Sequence, residues 1–194
     1  MSGAATRPRV VLVGPMGSGK TTVGRILAEA WGVGLRDTDH DVEAAAGRTI
    51  SDIFVDDGEQ AFRALERKAV AGALAAHDGV LALGGGAVLD PETRDLLREQ
   101  RVVFLHVGLS DSVKRVGLGS ARPLLLGNVR ARVKALLDER LPVYREVATV
   151  TVDTDGRPAE DVARDVREAV ERLERDEHDE HDQHDQHHEA QEDA

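Results

Sequence analysis

Residues 14–21 read Gly-Pro-Met-Gly-Ser-Gly-Lys-Thr and fit the spacing G-x-x-x-x-G-K-[ST]. These residue types suit one task, holding a chain of phosphates. Glycine lets the main chain wrap closely round phosphate oxygens, while consecutive N–H groups and the N-terminus of a following helix supply positive potential. Gly14, Pro15, Met16, Gly17, Ser18, Gly19, Lys20, Thr21 and Thr22 therefore form the candidate nucleotide cradle. Lys20 is placed to reach the β- and γ-phosphates, and the Thr21 hydroxyl to bind magnesium. The motif implies a nucleoside triphosphate and says little about what receives its phosphate.

Acceptor chemistry has to come from elsewhere in the chain. Asp37 and Asp39 lie at the end of a predicted strand, the edge where open α/β sheets bind ligands. Two carboxylates at i and i+2 can divide the work, one holding magnesium through water and the other taking or orienting the proton of an acceptor hydroxyl. They can equally be an Asp-rich turn that caps a helix from His40 onward. The run Gly84, Gly85, Gly86 closes another buried strand. It either exposes backbone amides to a small ligand or simply permits a tight turn. Arg63 in GEQAFR and Arg140 in ERLPVYR are single arginines, a type usually found in solvent or in surface ion pairs.

In this order and at this spacing, the pieces resemble one family, the shikimate kinases. The resemblance covers about Arg9 to Arg172 and rests on GPMGSGKT, the DTD at Asp37 to Asp39, GEQAFR, GGG, the Arg122 segment ARPLL and ERLPVYR. It implies ATP-dependent phosphorylation of the 3-hydroxyl of shikimate to shikimate 3-phosphate, a step on the chorismate route to aromatic amino acids. It also implies an α/β three-layer fold of the P-loop, nucleoside-monophosphate-kinase-like kind, with five parallel strands ordered 2-3-1-4-5 and a lid. Carried over by motif, Asp39 contacts the reacting hydroxyl and Asp37 joins Thr21 in holding magnesium. Arg63 and Arg140 clamp the shikimate carboxylate, helped by the amides of Gly84, Gly85 and Gly86. Lys20 and Arg122 act on the transferring phosphate, and Arg115 lies near the adenine.

The elements that must position these groups are visible as hydrophobic pattern. Short β-branched or apolar runs predict strands at Arg9 to Val13, Gly34 to Asp37, Val80 to Leu83, Val102 to Val107 and Thr149 to Val152. Phe62, Leu65, Ala69 and Ala73 draw an apolar stripe along a helix from Glu59 to Ala76. Asp90, Pro91 and Glu92 open another that runs to about Gln100, because Asp caps free amides and Pro suits the first turn. A short helix should start at Ser110 or Asp111, and a last one should run from Pro158 to about Glu174. Strands alternating with helices predict a mainly parallel sheet covered on both faces. Gly117 to Asn128, with three glycines, reads as a loop, and residues 115–128 become the lid on the family reading. Residues 38–66 become the acceptor-binding segment of a single domain, 1–175.

Composition excludes several other classes. Nine of the 36 acids, and no Lys or Arg, fall in Asp176 to Ala194, leaving 27 acids against 25 basic residues in the body. A body with net charge −2 lacks the basic face of a nucleic-acid binder. The longest apolar runs are four residues, far below the ~20 of a membrane span. Without cysteine or a signal-like start, the expectation is a cytoplasmic enzyme working as a monomer. Residues 176–194 form an acidic tail with His178, His181, His184, His187 and His188, expected to be disordered and capable of weak divalent-metal binding. Two rivals remain, a kinase for another small hydroxylated acid such as gluconate and a metal-linked GTPase or chaperone. The chain has neither an N-K-x-D guanine motif nor a cysteine site to favour the second.

Overall fold

The computed structural model describes residues 7–117 and 129–192, with side chains as far as Asp179. Its centre is strand β1 (Val10–Val13), flanked by β3 (Val80–Ala82) and β4 (Val102–His106), with β2 (Leu35–Asp37) and β5 (Val150–Asp153) at the edges. All pairings are parallel and the order is β2-β3-β1-β4-β5, as the resemblance implied. Each strand begins and ends within one residue of its predicted limits. Every residue of β1 is buried, because the sheet is covered on both sides.

Successive side chains on a strand point to opposite faces, so β1 supplies two cores at once. Val10 and Leu12 pack with Leu27 of α1 (Lys20–Trp31) and Val162, Val166 and Val170 of α8 (Ala159–Glu192). Val11 and Val13 face Val70 of α4 (Gly58–Ala76), Leu97 of α5 (Pro91–Leu97) and Tyr144 of α7 (Val129–Val147). A third, smaller cluster joins Val42 of α2 (Thr38–Ala46) and Ile53 of α3 (Ile50–Asp56) to Phe62 of α4. It builds a shoulder beside the sheet. Helix α3 was not foreseen, although Thr49 and Asp52 close a reciprocal capping box at its start. The α5 start is as expected, with Pro91 in the first turn and the Asp90 carboxylate accepting from the Thr93 amide at 3.1 Å.

The expected end of the last helix near Glu174 is corrected. Helix α8 runs on to Glu192. The polar tail has nothing to bury, but it also contains no Gly or Pro to interrupt a helical ladder already under way. The first turn beyond Glu174 is anchored as well. Arg9 grips Glu174 through two 2.9 Å hydrogen bonds, Arg101 does the same to Glu177 at 2.9 and 2.6 Å, and Arg7 also pairs with Glu177. These contacts hold the Glu177 carboxyl below its ordinary range. Among the described residues, no helix is long and apolar enough to cross a membrane.

Candidate active site

The cradle sits where β1 ends and α1 begins. Gly19, the residue before the helix, has φ +93° and Gly17 has φ +77°, a left-handed conformation that costs glycine little and other residues more. A Cβ on Gly17 would also stand 3.2 Å from the Ser112 carbonyl of α6 (Leu109–Gly117). Helix α6 is tied to the loop by its own side chains. Ser112 Oγ donates to the Met16 carbonyl at 3.0 Å, and Arg115 Nη1 donates to that of Gly17 at 3.2 Å. Arg115 also holds the Thr154 hydroxyl and carbonyl beyond β5, and so lies beside the cradle. Lys20 Nζ arches back over the loop, donating to the Gly14 and Pro15 carbonyls at 2.7 and 3.1 Å. Ser18 Oγ is buried within the loop and makes no hydrogen bond there.

Asp37 makes the helix-cap contact that the sequence offered and reaches the cradle as well. Its Oδ1 accepts from the Asp39 amide at 3.1 Å, capping α2, while its Oδ2 accepts from the Thr21 hydroxyl at 3.0 Å. One carboxylate thus links the cradle to the helix that carries Asp39. Thr21 and Asp37 also offer two hard oxygens at one point, the ligand type magnesium takes when waters and phosphates complete its shell. Asp39 shares a cleft of about 210 Å³ with Lys20, Thr21, Asp37 and Gly85.

The three glycines are the floor on which the acceptor groups meet. None has a positive φ, so backbone freedom is not why they are glycine. Space is the reason at Gly84 and Gly86. A Cβ on Gly84 would lie 2.4 Å from Asp39 Oδ1 and 2.8 Å from Glu66 Oε1, and one on Gly86 would lie 2.2 Å from Arg63 Nη1. Gly85 rests on the cradle, its virtual Cβ 3.6 Å from the Gly14 carbonyl and 3.7 Å from the Met16 nitrogen. The expectation that all three amides face a ligand is corrected at Gly84, whose N–H donates to the buried Thr38 hydroxyl at 2.9 Å.

Arg63 and Arg140 approach from different helices. Arg63 Nη1 pairs with Glu66 Oε2 at 2.6 Å and Nη2 with Glu59 at 3.0 Å. Arg140, 5% exposed on α7, donates to the Gly85 carbonyl at 3.2 Å, and its buried Nε has no partner among the described residues. Burial pushes the Glu66 carboxyl above its usual range, against the pull of Arg63; the guanidinium of Arg63 stays firmly charged because its two glutamates outweigh its own desolvation. Two basic groups, one of them with a buried Nε left unpaired among the described residues, converge beside a carboxylate and a phosphate cradle. The arrangement suits a small hydroxylated acid held with its hydroxyl at Asp39 and its anionic end between the arginines.

Arg122 lies outside the described residues. Sequence reasoning missed Glu66, Thr38, Ser112 and Tyr144. Only Glu66 left a signal. It falls on the buried face between Phe62 and Val70, where a glutamate without a partner would be costly.

A family model described as shikimate kinase matches residues 16–171. The chain belongs to the shikimate kinase family. A shikimate kinase of Thermobifida fusca is 61% identical over 159 residues, 82% of this chain and 92% of that protein. One of Mycobacterium marinum is 51% identical over 158 residues, 81% and 86% of the two chains. Among solved structures, shikimate kinase from Acinetobacter baumannii in complex with shikimate is similar with a TM-score of 0.81 and 38% identity, covering 85% of this chain and 93% of that one. A gluconokinase from Sinorhizobium meliloti shares the fold at TM-score 0.53 and 23% identity.

Proposed function

We propose that the protein transfers the γ-phosphoryl group of ATP to the 3-hydroxyl of shikimate, giving shikimate 3-phosphate and ADP on the route to aromatic amino acids. The observation that carries this reading is the meeting of Asp39, Arg63 and Arg140 round Gly84 to Gly86, directly against the phosphate cradle. Shikimate presents a ring hydroxyl to Asp39 and a carboxylate to Arg63 and Arg140. The hydroxyl oxygen forms the new bond to the γ-phosphorus, the bond to the β–γ bridging oxygen breaks, and the hydroxyl proton passes to the Asp39 carboxylate. Lys20 and Arg122 bear on the charge of the transferring group. Thr21 and Asp37 would hold the magnesium that accompanies ATP, which would supply charge to neutralise the phosphates.

Residues 38–66 bind the acceptor, and residues 115–128 act as the lid that excludes water, which would otherwise take the phosphoryl group. Arg115 serves the adenine end. The enzyme works as a cytoplasmic monomer, and the tail from Asp176, whose histidines take up divalent metal weakly, has no part in the transfer.

ADP release with ATP and magnesium, measured against shikimate, gluconate, nucleoside monophosphates and no acceptor, tests the reading. GTP with nickel is the parallel condition. Strong turnover with shikimate alone is expected. Turnover with gluconate, with GTP only, or independent of every acceptor would overturn it.

A further inference from the structure

Tyr144 follows Arg140 by one turn of α7 and is 1% exposed. Its ring stacks on Phe104 of β4 with centroids 5.0 Å apart and planes 17° from parallel. Its hydroxyl donates to the Gly85 carbonyl, the same oxygen that accepts from Arg140 Nη1. A carbonyl oxygen has two lone pairs, and here both have a donor. Burial pushes the phenol above its usual range, so the hydroxyl keeps its proton throughout the working pH range.

The acceptor matters because of what is bonded to it. Gly85 and Gly86 have no side chains to hold the peptide between them. That peptide is planar and trans, so fixing the Gly85 carbonyl toward α7 turns the Gly86 N–H the opposite way, away from α7. Gly85 borders the cleft that contains Asp39 and Lys20, and Gly86 lies against Arg63. Tyr144 also relieves Arg140 of being the sole donor to that carbonyl.

We propose that Tyr144 is a positioning residue of the acceptor site, holding the Gly85–Gly86 peptide so that the Gly86 amide is turned from α7 toward the acceptor while the Arg140 guanidinium stays on the α7 side of the site. Tyr144 itself does not touch the acceptor. The inference rests on the function proposed above and adds to it a residue that sets affinity for the acid without taking part in phosphoryl transfer.

Tyr144→Phe keeps the stacked ring and removes only the donor. The expected result is a shikimate KM raised about 3- to 10-fold, the effect of one lost neutral hydrogen bond. The ATP KM and kcat should stay within about twofold of the parent. In an Arg140→Ala background, where Tyr144 is left to hold that carbonyl, the same substitution should raise the shikimate KM by a larger factor than in the parent. An unchanged shikimate KM in the single variant, or effects that simply multiply in the double variant, would overturn the proposal.

A second measurement needs no folding-competent variant. Tyr144 is the chain's one tyrosine, so growth on 3-fluorotyrosine places a single fluorine reporter at this position. Its resonance should shift more on adding shikimate than on adding ADP with magnesium; the reverse order would count against the proposal. Parent enzyme that turned over no shikimate would refute the proposed function, whereas active parent with an indifferent Tyr144→Phe variant would refute this inference alone.

Discussion

Gly86→Ala is the sharpest test of why the floor of the acceptor site is glycine. The backbone at Gly86, φ −104° and ψ −8°, suits alanine, and fewer unfolded conformations should stabilise the variant by about 0.4–1 kcal/mol. The new methyl would stand 2.2 Å from Arg63 Nη1 and 2.7 Å from Nη2, where contacts below 3.0 Å essentially never occur. The guanidinium must therefore withdraw by at least about 0.8 Å, the difference between 3.0 and 2.2 Å. Arg63 is the mobile end of a long side chain, 22% exposed, so retreat costs the fold little. It costs the acceptor more. A charge-assisted hydrogen bond at ~2.8 Å that opens to ~3.6 Å is lost. Such a bond contributes about 1.5–3 kcal/mol, or roughly 10- to 100-fold in kcat/KM for shikimate at about 1.4 kcal/mol per tenfold. Initial rates of ADP release against shikimate at saturating ATP, beside a thermal melt, read both quantities. Gly84→Ala makes the contrast. It meets Asp39 and the buried Glu66, which have no such room, and should lose stability and turnover together. A Gly86→Ala enzyme with unaltered shikimate KM would show that Arg63 does not use this space in the working enzyme, and one that unfolds outright would refute its easy retreat.

Four further outcomes are expected. Asp39→Asn should remove most turnover while nucleotide affinity, measured by titration, stays nearly intact; normal turnover would refute its part in the proton transfer. The Glu66 carboxyl is raised in the folded protein, so protonation favours folding; its contribution is full below about pH 4.5 and is lost as pH rises through the raised value. Relative to Glu66→Gln, the parent should thus gain stability in melts as pH falls from neutral toward that point, and a constant difference would refute the raised carboxyl. Asp90→Ala removes the α5 cap and the Arg67 pair and should cost ~1 kcal/mol in denaturant unfolding with little change in kinetics. A chain ending at Arg175 should lose the nickel uptake of the full chain, read by calorimetric titration, and keep shikimate turnover; equal uptake would dismiss the tail as a metal site.

What could be seen in the sequence was local. Strand limits followed from apolar runs, the α5 start from Asp90 and Pro91, and the cradle from residues whose function depends on spacing along the chain. The glycine run was different. Its two sequence readings concerned amides and turns, while the structure shows a spatial demand made by Asp39, Glu66 and Arg63, residues 18 or more positions away in sequence. Tyr144 was equally invisible, because its partner carbonyl is 59 residues distant and Pro142 two positions earlier looks like a helix break rather than part of α7. For the tail, low hydrophobicity speaks to burial alone. The mistake was to infer the loss of helix from the loss of burial.

The stacking of Arg9 on Trp31, 4.3 Å from guanidinium to ring centroid, has a spectroscopic consequence. Trp31 is the only tryptophan and closes α1, whose first residue is Lys20 of the cradle, so about 16 Å of helix separates the fluorophore from the phosphates. Its emission should follow the undocking of Arg9 from the far edge of the sheet and remain silent when nucleotide or shikimate binds. With the lone tyrosine buried at the catalytic edge and the lone tryptophan at the opposite one, the chain carries two natural probes for separating global unfolding from events at the site.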